Sequence, residues 1–253
     1  MYLQPNLTIS QTVDLIKEKI KSNTPFALSR FGDGEIRMLN RNSPDNHKIR
    51  SCKNWGYSYP TQVNDLYNDA SLILLNAIKY SDVIGLMDSN NDTAKRINYK
   101  ESVWSIREHF LNDNGIDVNG LKITDHMFPR SEEFGKPENL REILQGKTLN
   151  IISPNTELLK TKNLDNLLDT EVTFTHHSNS INFRNRNEFI DSFKDIKSDV
   201  VLVGCGLQKD YVAYLKHNHG KIAIDAGAML DAWSGLETRP WFKKGGQQEY
   251  LVL

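Results

Sequence analysis

Cysteine is scarce in this sequence: Cys52 and Cys205 are the only two in 253 residues. They lie far apart and form no CxxC pair, which argues against a disulfide framework or a cysteine-based zinc site and fits a reducing compartment. Charge of one sign is also lacking. The 31 Lys and Arg are balanced by 32 Asp and Glu, for a net charge of -1. No broad basic field is present of the kind that holds nucleic acid. No apolar run approaches the roughly 20 residues that cross a bilayer, and residues 1–11 carry no basic stretch followed by an apolar one, so no signal peptide is read there. The GxGxxG fingerprint, the Walker A loop and the nucleophile elbow are absent, as are internal repeats, low-complexity tracts and linkers. The expectation is a soluble cytoplasmic protein without an integral membrane segment or a nucleic-acid partner; a homo-oligomer is compatible with all of this.

What is present is an ordinary globular composition, 38% hydrophobic and 25% charged, with a mean hydropathy of -0.53 on the polar side. From Lys147 onward the pattern is regular. Apolar runs at 148–152, 171–175, 199–203 and 221–225 read as strands, each followed by a small or polar turn and a helical stretch: 156–168, 187–196, 209–217 and 228–234. The first half is less regular. Helices are predicted over 11–20, with Ser10 as cap, over 64–80 and over 100–111, and strands over 25–30 and 82–87. Residues 121–124 suit a strand, and 40–60 reads as a long loop. Strands alternating with helices imply an α/β class: a Rossmann-like domain with a mostly parallel sheet and helices on both faces. A single domain is expected over 1–253, with a helical and loop insertion at about 40–140 and a regular βα half over 147–235.

The most distinctive stretch is Arg30-Phe31-Gly32-Asp33-Gly34-Glu35, between the strand ending at Arg30 and the apolar run Ile36-Arg37-Met38-Leu39. Gly32 and Gly34 permit a sharp turn and close approach to a ligand. On a turning backbone Asp33 and Glu35 can face one crevice, and two hard oxygen ligands there suit Mg or Mn. An acidic surface turn is the competing reading. In open α/β sheets, however, ligands bind beyond the carboxyl ends of strands, which is where this stretch falls.

Four further turns share that edge: Ser153-Pro154-Asn155, His176-His177-Ser178-Asn179, Gly204-Cys205-Gly206 and Asp225-Ala226-Gly227. Helix N-termini beyond them would suit a phosphate. Gly204 and Gly206 serve equally well as phosphate contacts or as plain turn glycines. Adjacent histidines on an extended backbone point to opposite faces, so a structural or hydrogen-bonding role for His176 and His177 outweighs joint chelation. Asp225 and Asp231 are candidates for a metal ligand, a ribose contact or a base, with Asp231 as a plain helix residue at even odds. Arg30 either pairs with a phosphate or is a structural partner of Asp33. Trp55, Tyr57 and Tyr59 either stack on a ligand or anchor their loop.

With Ser29-Arg30-Phe31-Gly32-Asp33-Gly34-Glu35 near the start and the stretch 223–235, Ala-Ile-Asp-Ala-Gly-Ala-Met-Leu-Asp-Ala-Trp-Ser-Gly, near the end, the chain resembles the GT-D-type glycosyltransferases from about Pro25 to Arg239. The resemblance implies one Rossmann-like domain whose Asp-x-Glu motif, here Asp33 and Glu35, works with a divalent metal, typically Mn, to hold a nucleotide sugar such as UDP-glucose. Relatives often carry a histidine where this chain has Ala228, so the contact it would make is either missing or supplied elsewhere, by His176 or His177. The implied reaction transfers a hexose, glucose first, from a UDP-sugar to a glycan or glycoprotein acceptor. Asp33, Glu35 and Asp231 are then the catalytic candidates. Arg30, Phe31, Gly32, Gly34, Ser153, Asn155, His177, Gly204, Gly206 and Asp225 are the substrate-binding ones. A nucleotide-sugar-binding protein without turnover and a metal-dependent phosphohydrolase are the alternatives.

Overall fold

The computed structural model describes residues 1–88, 105–144 and 146–236. The start of the 100–111 helix expected from the sequence and residues 237–239 of the resemblance lie outside the described residues. The elements run α1 (Ile9–Lys21), β1 (Phe26–Arg30), α2 (Asp33–Leu39), α3 (Asp45–Trp55), α4 (Val63–Tyr80), β2 (Val83–Leu86), α5 (Glu108–Asp113) and β3 (Lys122–Asp125). They continue with α6 (Glu132–Gly135), α7 (Pro137–Leu144), β4 (Leu149–Ser153), α8 (Thr156–Lys160), α9 (Leu164–Leu168), β5 (Val172–His176), α10 (Asn187–Asp191), β6 (Val200–Val203), α11 (Tyr211–His219), β7 (Ile222–Asp225) and α12 (Ala228–Trp233).

All seven strands pair in parallel in the order β3-β2-β1-β7-β6-β4-β5. The period of two is visible in the core. Phe26 and Leu28, Leu149 and Ile151, Val200 and Leu202, and Ile222 and Ile224 pack with α1, α7, α9 and α12 on one face. Ala27, Ile152, Val201, Val203 and Ala223 pack with α10 and α11 on the other, where α2 and α4 cover β2 and β3. With both faces covered, the inner strands β1, β2, β4, β6 and β7 are buried at every position, which is why they read as continuous apolar runs.

Several local readings are corrected. Residues 40–60 are not a plain loop: α3 occupies Asp45–Trp55 and ends at Gly56 in the left-handed region. Helix α1 is capped by Thr8 rather than Ser10, in a reciprocal capping box with Gln11. The single helix expected over 156–168 is two, α8 and α9, separated where Asn163 takes a positive φ of 51°. Among the described residues the stretch 40–140 carries α3, α4, α5 and α6, and it also contributes β2 and β3 to the sheet.

Candidate active site

Strand β1 ends at Arg30, and α2 begins three residues later, so Asp33 and Glu35 lie in the first helical turn and not on an extended turn. That departs from the expected geometry, and the reason is a local cap. Glu35 Oε2 accepts from the Gly32 N–H at 2.9 Å, folding the side chain back over the helix start. Asp33 points instead to Arg37 one turn on, with Nε 3.6 Å from Oδ2, and its side chain is 38% exposed. A Cβ on Gly34 would meet nothing within 4 Å, so this glycine is not required by crowding.

Beside α2 the carboxyl ends of β1 and β7 bring two more charges together. Asp225 ends β7, and its Oδ2 accepts from the Arg30 N–H at 3.1 Å and from Lys209 Nζ at 2.7 Å. Lys209 Nζ also lies 3.4 Å from Glu35 Oε1. Arg30 therefore pairs with Asp225, at 4.0 Å from Nε to Oδ1, rather than with Asp33, and its Nη1 donates to the His126 carbonyl at 2.7 Å. Gly85 leaves room for the Arg30 stem, since a Cβ there would lie 3.2 Å from Arg30 Cγ. Two cations and two carboxylates thus form one balanced group. Burial raises the Glu35 carboxyl, but Lys209 and the Glu35 and Gly32 N–H groups more than offset this and hold it below its ordinary value.

Lys209 is the residue that reading the sequence missed. The sequence pattern makes it the first residue of a helix over 209–217, whereas α11 starts at Tyr211. Its signal was a lysine just after the Gly204-Cys205-Gly206 turn, at the end of a strand next to the one that Asp225 terminates.

The other expected residues fall into two groups. Ser153, at the end of β4, is buried, and its Oγ accepts from the Asn155 N–H at 3.1 Å; Asn155 Nδ2 in turn donates to Asp231 Oδ1 at 2.9 Å. Met229, Leu230 and Trp233 sink α12 into the core, with the Trp233 indole donating to the Gly135 carbonyl at 3.1 Å, and half-buried Asp231 sits between these anchors. Gly204 permits the close approach of β6 to α12: a Cβ there would lie 2.9 Å from Leu230 Cδ1. Gly206 has a φ of +58° and faces Trp55. Phe31 is fully buried in the cluster with Ile36 and Leu66.

His177, by contrast, is buried among aromatic rings, edge-on to Phe189 at 4.9 Å between centroids and 5.9 Å from Tyr211. Burial pushes its imidazole down to about 4. His176 is exposed and bonded to Thr156 Oγ1 at 3.0 Å, so the two histidines do point apart. Trp55 stacks on Phe183 at 4.5 Å, while Tyr57 is a loop anchor bonded to Asp69. The hollow between α4 and α11, lined by Asn76, Tyr80, Tyr214 and His217, holds none of the expected site residues.

A divalent ion at Asp33 and Glu35 needs carboxylate oxygens turned to a shared, cation-free space. Here Glu35 faces a backbone N–H and an ammonium, and Asp33 faces a guanidinium. Among the described residues no group of three or more His, Cys, Asp or Glu is gathered to hold a metal. The donor set in this arrangement does not fit such an ion.

Comparison with known proteins places the chain. No curated protein matches it. Among solved structures, one described as a new glycosyltransferase (domain of unknown function 1792) from Streptococcus sanguinis superposes with a TM-score of 0.58 at 17% identity, covering 97% of this chain and 87% of that one. A second, described as domain of unknown function 1792 with a distinct glycosyltransferase fold, gives 0.56 at 19% identity, covering 96% and 83%. These likenesses are to the fold. The model of the GT-D fold-like domain matches residues 7–233, and the chain belongs to that GT-D-like family.

Proposed function

We propose that this chain is a glycosyltransferase that moves a hexose from a nucleotide sugar, UDP-glucose being the first donor to test, to a glycan or glycoprotein acceptor. The observation that supports this best is the gathering of Arg30, Lys209, Glu35 and Asp225 at the carboxyl ends of β1 and β7 in a chain of this family. That is the edge where an open parallel sheet binds its ligand.

In the reaction the acceptor oxygen forms a bond to the anomeric carbon, and the bond from that carbon to the diphosphate breaks, the electron pair leaving with UDP. Asp33, the most exposed carboxylate of the motif, accepts from sugar hydroxyls. Asp231, oriented by Asn155, takes the acceptor's proton. The Arg30–Lys209 pair fixes Glu35 and Asp225 so that the crevice does not reorganise as charge develops on the leaving group. Among the described residues no helix is long and apolar enough to cross a membrane.

The test is incubation with UDP-glucose, with and without Mn, followed by separation of nucleotide products. Release of UDP, even by slow hydrolysis, supports the reading. Inorganic phosphate as first product favours a phosphohydrolase, and binding without product favours a carrier.

A further inference from the structure

Lys209 is held from three sides. Its Nζ lies 2.7 Å from Asp225 Oδ2 at the end of β7 and 3.4 Å from Glu35 Oε1 in the first turn of α2, and its carbonyl accepts from Ser29 Oγ on β1 at 3.1 Å. The side chain is 6% exposed, between carboxylates that are 14% and 4% exposed. A lysine is seldom buried to this degree unless carboxylates compensate it. The space between two carboxylate side chains at a sheet edge is also where a hard divalent ion would sit, and such an ion prefers these same oxygens. With Arg30 on the far side of Asp225, the group of four is already neutral. An added divalent ion would meet an ammonium at contact distance.

We infer that Lys209 is a built-in cation: its ammonium takes the place between Glu35 and Asp225 that a divalent ion would otherwise occupy, and the site carries its positive charge on a side chain. Nucleotide binding here then does not depend on Mn or Mg. The inference stands on the geometry of these four residues, and its test needs no turnover, so its outcome is separate from that of the transferase reading.

The experiment is a Mn(II) titration followed by electron paramagnetic resonance on the full chain. Wild type, Lys209→Met and the double variant Lys209→Met with Glu35→Gln are compared, each first shown to melt cooperatively. Wild type is expected to hold Mn only weakly. Lys209→Met is expected to bind it roughly ten-fold tighter or more, because removal of a unit charge from contact distance is worth at least that. The double variant is expected to lose the gain. If Lys209→Met does not fold, Lys209→Gln replaces it, since the amide still donates to Asp225. A lysine variant that binds Mn no tighter than wild type overturns the inference. So does a gain that survives in the double variant, or wild-type binding as tight as that of Lys209→Met.

Discussion

Arg30 and Gly227 fit together only because Gly227 has no side chain: a Cβ there would collide with Arg30 Nη2, and the residue also holds a φ of +49°. The guanidinium that pairs with Asp225 thus depends on a glycine in the turn beyond β7. Gly227→Ala is expected to cost about 2 kcal/mol or more from backbone strain and displacement of Arg30. Gly34→Ala, a helical site open on its Cβ side, is expected to add about 0.5 kcal/mol. Melting curves of the two variants should move in opposite directions, at roughly 2–4 °C per kcal/mol for a chain of this size.

Glu35→Gln should change how the protein tolerates acid. The folded Glu35 carboxyl lies below its ordinary 4.5, so its ionised form contributes stability that is complete above that value. The contribution disappears as pH falls through the lower, folded value. Urea midpoints measured from pH 6 down to pH 3 should therefore fall less steeply for the Gln variant. Identical slopes would mean that the Lys209 contact stabilises nothing.

His177 acts in a different pH window. It is neutral in the fold, with its pKa at about 4 against an ordinary 6.5, so the unfolded chain takes up the proton first. The stability it contributes is complete above pH 6.5 and is lost as pH falls toward 4, by up to about 3 kcal/mol at roughly 1.4 per pH unit. His177→Phe, which keeps an aromatic ring against Phe189, should flatten the stability profile across that range. Buried His126, lowered first by desolvation, leaves a residual slope of the same sign.

Asp33→Asn is expected to leave the ligand-free protein within about 0.5 kcal/mol of wild type, the usual worth of an exposed pair four residues apart on a helix. If the carboxylate accepts from donor hydroxyls, the variant's affinity for UDP-glucose should fall while its affinity for UDP is unchanged. Calorimetric titration with both ligands separates the two effects.

Asp231→Asn should slow transfer by roughly 10²–10⁴ if it removes the acceptor's proton, with UDP affinity retained. The Asn155 contact can be rebuilt by the amide oxygen, so a folding defect is not expected. A variant as fast as wild type would return Asp231 to the role of an ordinary helix residue.

Much of the second half of the fold was legible in the sequence because its strands, β4, β6 and β7, are covered on both faces and read as unbroken apolar runs. The six-residue motif located the edge of the sheet for a similar reason: a buried strand stopping at a glycine-bearing acidic turn is a local pattern. What the sequence by itself determined, then, is the α/β class, the family and the sheet edge at which Glu35 and Asp225 lie. Which charge meets which was decided by the tertiary structure. Arg30, for which the sequence leaves a phosphate or its neighbour Asp33 as partner, pairs with Asp225, 195 positions away. Asp33 took Arg37, and Glu35 took Lys209 from the turn beyond β6. Asp33–Arg37 is local to α2, but the other partners become neighbours only when β1, β7 and β6 lie side by side in register. Ion pairing depends on distances of a few ångströms through a poorly screened interior, and one-dimensional spacing carries no record of them.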